Sequence, residues 1–117
     1  MEIANKNYSD RRIFERIKAR LPVRFIEGWE NREIEGETID FCAKGLGVET
    51  KQRVVSQVSN TPVEIWLNIP DEHEPFYTRG WVVWSKLVES NKYRSGINLE
   101  SAELMGLSRI FRVSQED

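Results

Sequence analysis

The segment "PVEIWLNIP", residues 62–70, alternates without a break, with Val63, Ile65, Leu67 and Ile69 apolar on one side. A period of two predicts a strand with one face on a core. Shorter versions of the pattern precede it. "VRFIEG" alternates into Gly28, "EIEGETIDF" carries Ile34 and Ile39, and "GLGVET" is punctuated by two glycines. Beyond the acidic turn "PDEHEP" comes "YTRGWVVWSKLVES", long, aromatic and β-branched, which "SNK" turns into "YRSGINLES".

The period changes at the end. In "SAELMGLSRIFRVSQED", Leu104, Leu107 and Phe111 share a helical face widened by Ile110. Ser101 is the expected N-cap, with Glu103 in the first turn. Gly106 weakens this helix by about 1 kcal/mol relative to Ala. Short strands at regular spacing followed by one amphipathic helix predict a small antiparallel barrel capped at one end. The four residues on the helix face are expected to pack on the barrel mouth, with a homodimer face as the second option.

Ahead of the strands, residues 1–10 are polar and aperiodic and read as a flexible N-terminal tail. Residues 11–20 suit a short turn of helix, which Pro22 cuts off by pushing Leu21 towards an extended conformation. The expected layout is a tail over 1–10, a barrel over about 21–100 and a helix over about 102–114.

Composition narrows the class. At 117 residues the chain is long enough for one core, and 39% apolar with 31% charged residues is a globular balance. No apolar run spans a bilayer and no signal-peptide h-region opens the chain. The lone Cys42 fits a reducing compartment, so a cytoplasmic location is expected.

Charge is the asymmetric feature. The net charge is −2, yet residues 1–25 hold seven Lys/Arg against three acids, leaving the rest of the chain at −6. Positive charge confined to one segment beside an acidic body suits a small local anion better than a long polyanion. Nucleic acid is therefore not the expected partner.

Two short patterns stand out together. One is Arg12-Ile13-Phe14-Glu15-Arg16, an R-x-x-x-R preceded by Arg11; the other is Asp40-Phe41-Cys42-Ala43-Lys44-Gly45. Each alone is weak. A solvated basic segment explains the first, and an ordinary β-turn explains the second.

Taken in order and in strand context, the pair resembles the signature of the PilZ domain family of cyclic di-GMP receptors, (R)R-x-x-x-R followed by (D/N)-x-S-x-x-G. "RRIFER" matches the first part in full, and "DFCAKG" matches the second except that Cys42 stands where the family usually has Ser. "RLPVRF", "GLGVET" and "GWVVWSK" with "YRSGINL" resemble the family's strands, so the likeness runs over roughly residues 10 to 112. It implies a mainly β fold, a small six-stranded antiparallel barrel with a C-terminal α-helix, and a binding function without catalysis.

The resemblance assigns ligand contacts to Arg11, Arg12, Arg16, Asp40, Cys42 and Gly45. Their chemistry fits. Guanidinium pairs bidentately with phosphate or with guanine O6/N7 and also stacks on bases. An ionised carboxylate is acceptor-only and suits guanine N1–H and N2–H. Gly45 would let the backbone turn and approach the ligand. In the family, an arginine in the position of Arg11 tends to accompany two stacked ligand molecules. A thiol hydrogen-bonds more weakly than a hydroxyl, so Cys42 is expected to cost at most about tenfold in affinity.

The expected mechanism is ordering of the N-terminal segment over the ligand, signalled to a protein target in trans. A degenerate PilZ module that binds protein but no nucleotide is the alternative, invited by Cys42. No cofactor or metal is implied: His73 lies in an acidic loop that reads as solvated, and no base stands near Cys42 in sequence to make it a nucleophile. Trp66, Trp81 and Trp84 read as barrel material, with Trp84 a second option for a guanine contact.

Overall fold

In a computed structural model, residues 16–28, 31–54 and 60–114 are described. The alternating segments become strands: β1 Ile17–Lys18, β2 Pro22–Glu27, β3 Arg32–Cys42, β4 Gly45–Thr50, β5 Thr61–Leu67, β6 Phe76–Glu89 and β7 Lys92–Leu99. The helix α1 runs from Leu104 to Ser114. Every strand pairing is antiparallel.

Strands β3, β2, β5, β6, β7 and β4 pair in that order, and β4 returns to β3, closing a six-stranded barrel with β1 added outside β3. Closure removes the sheet edges that would otherwise invite association. Val63, Ile65, Leu67 and Ile69 are all buried, as their alternation requires. Phe25, Phe41 and Val82 join them in one contiguous core. At about 1.5–3 kcal/mol for each fully buried large side chain, this core is the main stabilising term.

Residues 16–20 depart from the helical reading. Ile17 and Lys18 pair with Phe41 and Asp40, and Ile17 and Ala19 lean on the core while Arg16, Lys18 and Arg20 face solvent. The alternation Arg-Ile-Lys-Ala-Arg-Leu is strand-like, and burying its apolar half outweighs the helical propensity of Arg, Lys and Ala. Thr38 fixes the segment. Its buried hydroxyl donates to Ala19 O at 2.5 Å and accepts from Leu21 N at 3.0 Å. Residues 11–15, like the tail at 1–10, lie outside the described residues.

The helix is also turned from its expected face. Ile110 is fully buried and Leu107 and Val113 lean on the core, but Leu104 and Phe111 are about half exposed. Gly106 explains the rotation. A Cβ there would lie 2.7 Å from the Phe76 ring, which itself packs edge-on against Phe41. The glycine that costs helix propensity lets α1 approach the barrel along Gly106 and Ile110. Helix α1 starts at Leu104, so Ser101 is not its N-cap; its hydroxyl contacts the Glu103 carboxylate instead. Glu103 N donates to Ala43 O, tying the helix entrance to the β3–β4 turn. Arg109 clamps the other side, donating to both carboxylate oxygens of Asp71 at 2.7 and 2.8 Å.

Candidate functional site

Along β3 the inner residue Thr38 pairs with Val48, and the next pairing is Asp40 with Gly47, so Ile39 is inserted as a bulge. Without that insertion Asp40 would share the core side with Thr38, two residues away. The bulge re-aims its carboxylate to the outer surface. Strand β6 repeats the device. Val82 pairs with Ile97 on the core side, Val83 is inserted, and Trp84 pairs with Gly96 on the outside.

Gly47 and Gly96 are themselves paired, giving one outer row across four strands: Asp40, Gly47, Gly96, Trp84. The row has a carboxylate at one end, an indole at the other and no side chain between them. Neither glycine has a positive φ, so their contribution here is space. A Cβ on Gly47 would crowd Asp40 Oδ1 at 2.9 Å, and one on Gly96 would collide with the Trp84 indole. Trp84 lies on Gly96 and is 48% exposed, with Lys86 Nζ over its ring at 5.7 Å from the centroid.

Asp40 is oriented from two directions. Its Oδ1 accepts from Gly47 N at 3.0 Å and from Arg16 Nη1 at 3.1 Å. The Arg16 pair is open to solvent, and exposed ion pairs contribute about 0–1 kcal/mol. An incoming anion or base edge can therefore separate it at small cost.

Flanking rows extend the surface. On one side lie Cys42, Gly45, Asn98 and Trp81, with Asn98 exposed. Cys42 falls on the outer side by alternation with Phe41, yet is only 5% exposed and stands outside the contiguous core. It ends β3, and Ala43 and Lys44 form the turn itself. Gly45 does not turn the chain with a positive φ; a Cβ there would lie 2.7 Å from Ile97 O, so it admits the neighbouring strand.

On the other side lie Glu37, Glu49, Arg94 and Lys86. Glu49 accepts from Arg20 Nη1 at 2.7 Å and from Arg94 Nε at 3.4 Å, with Lys92 Nζ at 4.0 Å. The Arg20 hydrogen bond, opposed by partial burial, holds the Glu49 carboxyl below its ordinary range and raises Arg20 in turn.

The structure thus brings together Arg16, Asp40, Cys42 and Gly45 of the residues singled out in the sequence. Arg11 and Arg12 lie outside the described residues. Sequence reasoning missed Gly47, Gly96, Asn98, Arg20 and Arg94. The signal was there in "GLG" and "SGIN", but two glycines become a floor only once β4 and β7 are placed in register. Trp66, Trp81 and Trp84 are not core residues: Trp66 lies on the outer face of β5, with Arg24 over its ring at 4.6 Å and the Tyr77 ring 5.2 Å away.

The groups present are cations, carboxylates, an indole and open backbone, a set that can hold a charged planar molecule by pairing and stacking. Among the described residues no three His, Cys, Asp or Glu side chains are grouped to hold a metal ion. No helix among them is long and apolar enough to cross a membrane.

Comparison with solved structures identifies the architecture. The PilZ domain of YcgR from Escherichia coli with c-di-GMP aligns at a TM-score of 0.66 and 13% identity, over 86% of this chain and 89% of that one. The PilZ domain of CeSA from a cellulose-synthesizing bacterium aligns at 0.60 and 19%, over 85% and 93%. The Bacillus subtilis inhibitor of motility MotI/DgrA aligns at 0.61 and 17%, over 87% of this chain, which spans about half (51%) of that one. A search of curated proteins gives no match. The PilZ domain family model matches residues 10–110, and with the closed barrel and terminal helix already described, the chain belongs to the PilZ domain family.

Proposed function

We propose that this chain is a receptor for cyclic di-GMP, binding it on the outer surface of β3, β4, β7 and β6 without catalysing a reaction. The observation that carries the reading is the row Asp40, Gly47, Gly96, Trp84, with Arg16 already resting on Asp40. Family membership supports it, as does the likeness to the YcgR domain with c-di-GMP and to the Borreliella burgdorferi PlzA protein in complex with c-di-GMP.

The roles follow from chemistry. Asp40 accepts from guanine N1–H and N2–H. Arg16 leaves Asp40 for a phosphate oxygen or a base edge, joined by Arg12 from the same motif. Trp84 offers its half-exposed indole to a guanine that takes the place of the Lys86 ammonium over the ring, and the Gly47–Gly96 floor lets the ligand reach the backbone. Cys42 and Gly45 border the ligand at the β3–β4 turn, Cys42 as a weak hydrogen-bonding group. Arg11 adds a charge suited to a second, stacked ligand, since a stacked pair brings four phosphodiester charges. Ligand binding orders the N-terminal arginines over the barrel, and that altered surface is what a protein target in trans reads. The ligand shifts the equilibrium only by its preference for the ordered form.

Titration calorimetry of cyclic di-GMP into the protein, beside Arg12→Ala/Arg16→Ala and a GTP control, tests this. Saturable binding that is lost in the variant supports the receptor reading, and a ratio near two ligands per chain supports the stacked pair. Absence of binding at high ligand concentration favours a PilZ module that binds protein alone.

A further inference from the structure

The row beside the glycine floor carries more positive charge than one carboxylate needs. Arg20, Arg94 and Lys92 converge on Glu49, whose side chain is only 14% exposed while each cation is roughly 40–50% exposed. Arg20 is held in register by the Thr38 hydroxyl, which pins Ala19 O and Leu21 N on either side of it. Arg94 is fixed as the direct cross-strand partner of Glu49. Glu37, 3.4 Å from Arg20, is the second carboxylate of the cluster. Lys92 lies nearer Glu89, at 3.5 Å, so Glu49 chiefly holds the two guanidiniums, Arg20 and Arg94.

Glu49 stands two residues from Gly47 on the same side of β4, a step of about 7 Å along the strand. A nucleotide lying on the floor with its base edge at Asp40 or Trp84 extends its phosphate over a comparable distance.

Resting on the receptor reading above, we propose that Glu49 is a built-in stand-in for a ligand phosphate. Its carboxylate holds Arg20 and Arg94 oriented in the free protein, and a phosphodiester of cyclic di-GMP takes them over on binding. Two consequences separate this from a merely structural ion cluster. Glu49 keeps the guanidiniums organised, which lowers the ordering cost of binding. It also competes for them, which sets a ceiling on affinity. Removing its charge while keeping its shape releases the second effect and retains most of the first.

Calorimetric titration of cyclic di-GMP at two salt concentrations, into wild type, Glu49→Gln, Arg94→Ala and Glu49→Gln/Arg94→Ala, tests the proposal. Circular dichroism would check that each variant is folded. Glu49→Gln is expected to bind about fivefold more tightly, with a steeper loss of affinity as salt rises. Arg94→Ala should weaken binding and cancel the gain in the double variant. Equal or weaker binding by Glu49→Gln, beside normal wild-type binding, overturns the stand-in and leaves the receptor reading intact. Binding by Glu49→Gln alone supports the stand-in in its strongest form. Binding by neither overturns both.

Discussion

Asp40 and Trp84 face each other along one outer row, and each is there because a single residue is inserted just before it. Ile39 and Val83 are the inserted residues, in strands separated by β4 and β7. Each bulge converts a position that alternation assigns to the core into one that faces the candidate ligand surface. Two independent insertions aimed at one row give a generic barrel wall its candidate site.

Trp84→Ala is therefore expected to weaken cyclic di-GMP binding about fivefold or more, since stacking a base on an aromatic contributes about 1–3 kcal/mol. Global stability should change little because the indole is half exposed. Gly96→Ala supplies a second approach to the same contact, because the added methyl displaces the indole from the floor. Calorimetry and ligand-induced quenching of Trp fluorescence would read both, and unchanged affinity in both variants would remove Trp84 from the site.

Cys42→Ser restores a stronger hydrogen-bonding group on a side chain of nearly the same shape. The expected gain is at most tenfold in affinity, corresponding to about 0.5–1.5 kcal/mol for one hydrogen bond. Although Cys42 is only 5% exposed, it stands outside the contiguous core, so the unfolding midpoint should move little. A large loss of stability in Cys42→Ser would mean that the thiol is held in apolar packing, and its place in the motif would then be structural.

Arg16 tests the open ion pair. Arg16→Ala is expected to lower ligand affinity at least tenfold, by analogy with other lost charge-assisted hydrogen bonds of about 1.5–3 kcal/mol. Protein stability should fall by less than about 1 kcal/mol, because the Asp40 partner stays partly solvated. Urea denaturation beside calorimetry separates the two effects.

The sequence made the barrel legible because alternation is a local signal: Val63, Ile65, Leu67 and Ile69 needed no knowledge of their neighbours. It made half of the candidate site legible through Arg16, Asp40 and Gly45, whose spacing is short. Gly47, Gly96, Arg20 and Arg94 were hidden because their proximity is a matter of register between strands distant in sequence. Bulges were hidden for the same reason, and they put Trp84 on the surface where its apolar character argued for the interior. The helix face was misjudged because Gly106 was weighed for propensity alone, without the Phe76 ring it admits.

That contact yields its own prediction. Gly106→Val should destabilise the protein by about 2 kcal/mol, as overpacking against Phe76 and Phe41 typically costs about 1–3 kcal/mol. Gly106→Ala should be milder, since a helix-propensity gain of about 1 kcal/mol offsets part of the clash. Chemical denaturation should therefore rank wild type first, Ala second and Val third. A more stable Ala variant would show that Phe76 yields freely and that the helix docks without needing the glycine.

The Asp71–Arg109 pair gives the stability a defined pH dependence. The paired hydrogen bonds from Arg109, opposed by desolvation and aided by His73 N, hold the Asp71 carboxyl well below the usual carboxylate range. A carboxyl depressed in the folded state stabilises it at pH values above its unfolded pKa of about 3.9, and that contribution is lost as pH falls through the folded value. Wild type should thus exceed Asp71→Asn in thermal midpoint by a constant margin above about pH 5, with the margin shrinking progressively below pH 4. Because Arg109 also donates to Glu74 O at 2.9 Å, Arg109→Ala should lower the midpoint further than Asp71→Asn while removing the same pH-dependent component. A margin independent of pH down to strongly acid conditions, or one that grew on acidification, would show that the clamp does not depend on the Asp71 charge.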